Sequence, residues 1–177
     1  MSNYSYTFSN LDEAALCKVA LQMAESLSRQ QQGGVIFLQG ELGAGKTTFA
    51  RALLQGLGIT TRVKSPTYTL IESYQAGNFF VYHLDLYRIA DPGELEWLGL
   101  PDLFGAHTLF LIEWPERGVG GLPSPDLKLN FIHVSDKRDL VITALGIQGE
   151  NWLKIMQKRC GGLINFVEED DKHVKNL

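Results

Sequence analysis

Hydrophobic and polar positions alternate at the start of the chain. Tyr4, Tyr6 and Phe8 are separated by polar residues, a period of two that predicts a short strand. Asn10, followed three positions later by Glu13, has the spacing of a capping box and predicts a helix start. Within that helix Leu16, Val19, Ala20, Met23 and Leu27 fall on one face, and Gly33-Gly34 should lie beyond its end. Val35-Ile36-Phe37-Leu38 is a continuous apolar run, as expected of a parallel strand buried on both faces. A glycine-rich loop follows at once, then a helical pattern from Lys46 to Leu54 ending near Gly56 and Gly58. Thr69–Tyr74 and Phe79–Leu84 read as two strands joined through Gln75-Ala76-Gly77-Asn78, a hairpin inside an otherwise parallel sheet. Asp91-Pro92-Gly93 opens a short helix running through Glu94 to Leu98. Leu109–Ile112 is a second buried strand, ending at Glu113-Trp114-Pro115. After a Gly- and Pro-rich loop from Gly118 to Pro125, Leu127–Val134 and Leu140–Ala144 predict two more strands. Asn151–Gln157 predicts a helix, and the acidic stretch Glu168-Glu169-Asp170-Asp171 a mobile tail.

Apolar runs never exceed four residues, too few to cross a bilayer, and Met1-Ser2-Asn3-Tyr4 lacks the charge and apolar pattern of a signal peptide. These features predict a soluble, cytoplasmic protein. At 177 residues the chain has room for one domain with a sizeable core. We expect a single domain over residues 1–150, with a C-terminal helix and mobile tail over 151–177. The balance of 16 basic and 20 acidic residues argues against a protein that coats nucleic acid. Cys17 and Cys160 have neither metal-ligand nor redox spacing, which fits a reducing compartment. Cys17, in an apolar helical stretch, is expected to be a buried thiol. His107, His133 and His173 form no recognisable ligand set.

The strongest chemical signal is Gly40-Glu41-Leu42-Gly43-Ala44-Gly45-Lys46-Thr47, a full match to G-x-x-x-x-G-K-[ST] placed between a strand and a helix. Glycines let the backbone curl so that several N–H groups face one phosphate. The N-terminus of the next helix adds partial positive charge. Lys46 would bring a full charge to the β and γ phosphates, and Thr47 would offer its hydroxyl to magnesium. The nucleotide-contacting stretch is expected to be Glu41, Leu42, Gly43, Ala44, Gly45, Lys46, Thr47 and Thr48, with ATP and Mg2+ as the ligands.

Such a site needs carboxylates at strand ends, and Asp85 and Glu113 each follow a predicted strand. Either could hold magnesium, directly or through water, while the other orients the attacking water. Ser65-Pro66-Thr67 lies between the loop's helix and the hairpin, where Thr67 could act as a switch-like residue or belong to an ordinary turn. Arg88 and Arg117 read more readily as solvated surface residues than as charge stabilisers. Trp114 fits core packing as well as stacking on a base or a partner. His83, inside a predicted strand, reads as structural.

With those blocks in view, the chain resembles the TsaE (YjeE) family of bacterial ATPases over about residues 5–145. The resemblance rests on Gly40–Thr48, Val63-Lys64-Ser65-Pro66-Thr67-Tyr68-Thr69-Leu70, Tyr82-His83-Leu84-Asp85-Leu86-Tyr87-Arg88 and Leu111-Ile112-Glu113-Trp114-Pro115-Glu116, in this order and spacing. It implies a role in making threonylcarbamoyladenosine beside the tRNA anticodon, together with TsaD and TsaB. The implied activity is ATP hydrolysis that resets the complex, with tRNA contacted indirectly. Carried over by residue, Lys46 binds phosphates, Thr47 binds magnesium, Thr67 is the switch-like threonine, and Asp85 and Glu113 are the acids, Glu113 being preferred for magnesium. Trp114 matches a position near the nucleotide or the partner face, and the stretch after about Ile147 matches no family block.

The implied fold is α/β: a three-layer P-loop NTPase-like arrangement of a mostly parallel sheet with an antiparallel hairpin and helices on both faces. With no built-in arginine finger in view, hydrolysis by the isolated chain should be weak and partner-dependent. A small-molecule kinase is the alternative, but such enzymes often carry an arginine-rich lid, and Arg117 is the only arginine between residues 100 and 130. A GTP switch would be expected to carry Asn-Lys-x-Asp, which is absent from the sequence.

Overall fold

The alternating N-terminal segment is a strand, β1 (Ser5–Leu11), with Tyr6 and Phe8 buried. In the computed structural model, which describes residues 4–160 and the side chains of all but the last two of these, it leads into helix α1 (Glu13–Gln30). The cap differs from the expected one. Asp12, not Asn10, is the N-cap, and its carboxylate accepts the Ala15 N–H at 2.7 Å. Asn10 instead stands in a left-handed conformation (φ 61°) and donates its backbone N–H to Asp139 at 2.7 Å. The expected apolar face of α1 is buried throughout, and Gln31 closes the helix in a left-handed C-cap.

Strand β2 (Gly34–Gly40) lies at the centre of the sheet, and helix α2 (Lys46–Gly56) follows the glycine-rich loop. The hairpin β3 (Ile71–Ala76) and β4 (Phe79–Asp85) pairs Ala76 with Phe79 across a two-residue turn. Its first strand starts two residues later than the pattern predicts. Leu70 N–H closes a turn on the Pro66 carbonyl at 2.8 Å, and Leu70 takes φ 62°. Strand β5 (Thr108–Glu113) is buried along its whole length. Strands β6 (Leu127–Val134) and β7 (Lys137–Ala144) form a second hairpin, and helix α3 (Ile147–Cys160) begins earlier than its pattern suggests. The expected acidic tail and His173 lie outside the described residues, as does the Cys160 side chain.

The seven strands run in the order β1-β7-β6-β2-β5-β4-β3. Parallel ladders join β6 to β2, β2 to β5, and β5 to β4. Antiparallel ladders add β3 at one edge and β7 then β1 at the other. Thus β1, β2, β4, β5 and β6 share one direction, while β3 and β7 oppose it. Helical segments cover both faces, but unequally. Helices α1, α2 and α3 bury the larger core, which includes Phe8, Ile36, Leu38, Phe49, Leu111 and Trp152. The opposite face, with Val35, Leu84, Phe110 and Ile112, is covered by 3-10 turns at Pro92–Leu98 and Leu100–Leu103 through Leu95 and Leu100. The predicted Asp91 start is present as a full capping box with Glu94. Cys17 is half-buried rather than fully buried, and burial pushes its thiol up from the ordinary value. No helix among the described residues is long and apolar enough to cross a membrane.

Asp126 clamps the entry of β2. Its backbone N–H donates to the Val35 carbonyl at 2.8 Å, and its carboxylate accepts the Val35 N–H at 2.9 Å. Burial raises the pKa of this carboxyl, and the Val35 hydrogen bond opposes the shift. The folded chain therefore holds the proton more tightly than the unfolded one. The resulting stabilisation is full below the unfolded pKa and is lost as pH rises through the folded one. Relative to Asp126→Asn, the wild-type melting temperature should rise as pH falls toward the ordinary aspartate pKa of about 4. Calorimetric scans of both proteins check the sign, and a difference that shrinks toward acid would refute it.

Candidate functional site

Four elements meet at the carboxyl end of the central strands. Gly40 ends β2 at φ 148°, and a Cβ there would stand 2.5 Å from the Phe131 carbonyl oxygen. Only glycine takes that conformation and lets β2 turn tightly beside β6. Gly45 (φ 104°) caps α2 with no side-chain hydrogen bond, and the first turn of α2 carries no acid. Its leading N–H groups therefore face the loop without a side-chain acceptor, as an anion site requires.

Lys46, the first residue of α2, is only 4% exposed. Its ammonium donates to the carbonyls of Gly40 at 2.7 Å and Glu41 at 2.8 Å, and lies 4.0 Å from the centre of the Trp114 ring. Burial lowers the Lys46 pKa, while Glu113, Glu116 and Asp85 act in the opposite sense. The next residue, Thr47, donates its hydroxyl to Glu113 Oε2 at 2.9 Å. In register, Glu113 stands beside Leu38 of β2 on one side and Asp85 of β4 on the other. Asp85 is one strand further from the loop. It accepts the Thr67 hydroxyl at 2.7 Å on Oδ2 and the Tyr87 N–H at 3.0 Å on Oδ1. Ser65 Oγ shares a 2.7 Å hydrogen bond with Thr67 Oγ1. Trp114 takes a left-handed backbone (φ 57°, ψ 48°), uncommon for a bulky residue, and packs its ring 5.0 Å from that of Tyr87.

These groups surround one cavity of about 250 Å³. Of the residues expected to contact nucleotide, Leu42, Gly43, Gly45, Lys46, Thr47 and Thr48 line it, and Thr67, Asp85 and Glu113 join them. Glu41 and Ala44 do not line it. Ala44 is fully buried, and Glu41 contributes its carbonyl to Lys46. Neither Arg88, stacked 4.2 Å from Tyr68, nor Arg117, over Tyr87 at 5.9 Å, lines the cavity. Two residues were not anticipated. Tyr87 forms part of the wall. His83 is fully buried with its Nε2 at 2.8 Å from Glu113 Oε1. The available signal was parity: His83 lies two residues before Asp85 on a strand, hence on the same face.

The donor set fits magnesium held together with phosphate. Two carboxylates and two hydroxyls offer hard oxygens beside a lysine. No group of three or more His, Cys, Asp or Glu among the described residues forms a metal cage.

A Gly-x-x-x-x-Gly-Lys-Thr loop between the central strand and a helix, in a mostly parallel three-layer sheet, defines an α/β protein of the P-loop NTPase-like fold class. Comparison with known proteins narrows this. Residues 11–140 match the family model described as threonylcarbamoyl adenosine biosynthesis protein TsaE. The tRNA threonylcarbamoyladenosine biosynthesis protein TsaE of Haemophilus influenzae is 42% identical over 142 residues, spanning 79% of this chain and 90% of that protein. Its namesake from Bacillus subtilis is 42% identical over 115 residues, 64% of this chain and 72% of that protein. The crystal structure of Bacillus subtilis YdiB superposes with a TM-score of 0.71 at 29% identity, covering 89% of this chain and 97% of that one. The chain belongs to the TsaE family.

Proposed function

We propose that this chain is a magnesium-dependent ATPase serving threonylcarbamoyladenosine biosynthesis on tRNA. One observation carries the reading: Lys46, Thr47, Thr67, Asp85 and Glu113 converge on a single cavity at the mouth of the glycine-rich loop. The family relationship supports the pathway, since the relatives' names place those proteins in it.

In this reading the loop N–H groups and the N-terminus of α2 bind the β and γ phosphates, and Lys46 exchanges its two carbonyl partners for phosphate oxygens. Bound magnesium would neutralise charge on the triphosphate. Thr47 and Glu113 would hold that ion, and Thr47's existing hydrogen bond to Glu113 sets the hydroxyl's orientation. Asp85, fixed by Thr67 and the Tyr87 N–H, would orient the attacking water and accept its proton on a carboxylate oxygen. Because Thr67 is tied to Asp85, movement of the 65–67 segment would disturb the water-orienting acid. A shift of this kind is how ATP turnover would be passed to TsaD and TsaB in the cytoplasm.

No arginine lines the cavity among the described residues, so isolated turnover should be slow. Phosphate release measured alone and with TsaD and TsaB tests this. We expect partner addition to change the rate at least about tenfold. An unchanged rate would refute partner control, and absence of Mg-ATP binding in calorimetry would refute the ATPase reading itself.

A further inference from the structure

We propose that His83 is a positioning residue for Glu113. It anchors one oxygen of the carboxylate and so presents the other to Thr47 and the cavity. The inference rests on the Mg-ATP reading above.

Glu113 is 2% exposed, so water does little to solvate its carboxylate, and the protein must supply donors. Thr47 donates to Oε2 at 2.9 Å and His83 Nε2 lies 2.8 Å from Oε1. A carboxylate only accepts, so the imidazole carries its hydrogen on Nε2. The other ring nitrogen agrees: Nδ1 is buried and has no hydrogen-bond partner among the described residues. A bare lone pair is the tolerable occupant of that place, because a stranded N–H would face nothing. The single hydrogen bond of this fully buried ring is therefore directed at one functional acid. Packing alone would be better served by an apolar side chain.

The sheet explains why the bond forms. β4 and β5 run parallel, with Asp85 beside Glu113 and His83 beside Leu111. His83 thus stands one pleat behind Glu113, toward the core side of Val81 and Leu109. The carboxylate is gripped from behind by His83 and from the front by Thr47. Lys46 lies close by and makes no ion pair with Glu113 among the described residues. Released from His83, Glu113 would be free to turn toward that ammonium. The carboxylate would then leave the place beside Thr47 where the cation must enter, while the loop N–H groups that take the phosphates stay as they are.

The test is calorimetry of ATP binding to the full chain with magnesium and with EDTA, for wild type, His83→Leu and His83→Gln. A glutamine amide can put an N–H where Nε2 stands, whereas leucine cannot. Loss of a hydrogen bond that orients a metal-binding carboxylate weakens metal affinity by about 10–100-fold. We expect His83→Leu to lose at least about tenfold of the magnesium-dependent tightening, its EDTA affinity to stay within about twofold, and His83→Gln to recover most of the loss. Purely structural damage would lower both affinities together. Undiminished tightening in His83→Leu, or equal loss in both variants, overturns the proposal and leaves the ATPase reading standing. A wild type without magnesium-dependent tightening overturns both. If His83→Leu does not fold, nitrogen NMR of the wild-type ring decides: a hydrogen on Nε2 supports the assignment, and a hydrogen on Nδ1 alone overturns it.

Discussion

Replacing Lys46 by alanine is expected to weaken Mg-ATP binding by at least about 100-fold, or ~2.7 kcal/mol. The side chain is nearly inaccessible, and its ammonium already sits at the foot of the loop on the Gly40 and Glu41 carbonyls. Burial works against the charge, and the nearby carboxylates, Glu113 foremost, work for it. A charge held this way in a poorly hydrated place interacts strongly with an arriving phosphate. Its hydrogen bonds to a charged partner contribute about 1.5–3 kcal/mol each. Arginine should not rescue the site, because the planar guanidinium would have to fit between the loop and the Trp114 ring, 4.0 Å from the ammonium. Calorimetry of the folded variants is the measurement, with thermal melting as the control. Wild-type affinity in Lys46→Ala would remove the basis for placing phosphate in this loop.

That residue was legible in the sequence because the loop is dictated by local backbone geometry. Fixed spacing of Gly40, Gly45, Lys46 and Thr47 specifies the turn, the helix start and the charge without reference to the rest of the fold. The buried runs 35–38 and 109–112 were legible for a similar reason: strands covered on both faces have few polar positions. Features set by contacts between distant segments were not. The β6–β7 hairpin turns through Ser135, left-handed at φ 55°, and Asp136, with no glycine to mark it. Asn10 and Asp12 are both good cap residues, and the Asp139 carboxylate draws the Asn10 N–H away. The two acids look equivalent along the chain, since each ends an apolar strand. Only strand order separates them: β5 is the neighbour of β2, so Glu113 reaches Thr47 while Asp85 reaches Thr67. The link between His83 and Glu113 spans thirty positions of sequence and exists only because β4 and β5 are adjacent.

The same strand order makes the two acids separable by experiment. Glu113→Gln removes the charge beside Thr47 and sets an amide against donors on both sides, His83 and the Thr47 hydroxyl. With one amide oxygen for two donors, either His83 or the Thr47 hydroxyl loses its acceptor. Magnesium-dependent tightening of ATP should fall about 10–100-fold, and hydrolysis should fall about 100–1,000-fold. Affinity in EDTA should change little, because the loop amides and Lys46 are untouched. Asp85→Asn should behave differently. An asparagine can keep its carbonyl oxygen on the Tyr87 N–H and turn its amide to the Thr67 oxygen, so the 65–67 segment stays in place while the charge disappears. Mg-ATP affinity should then stay within about threefold of wild type, while turnover falls about 100-fold as the acceptor for the water proton is lost. Paired calorimetry and phosphate release on the two variants distinguish the roles. If Asp85→Asn lost the magnesium effect and Glu113→Gln kept it, the ion would belong one strand further from the loop, and the water to the strand beside it.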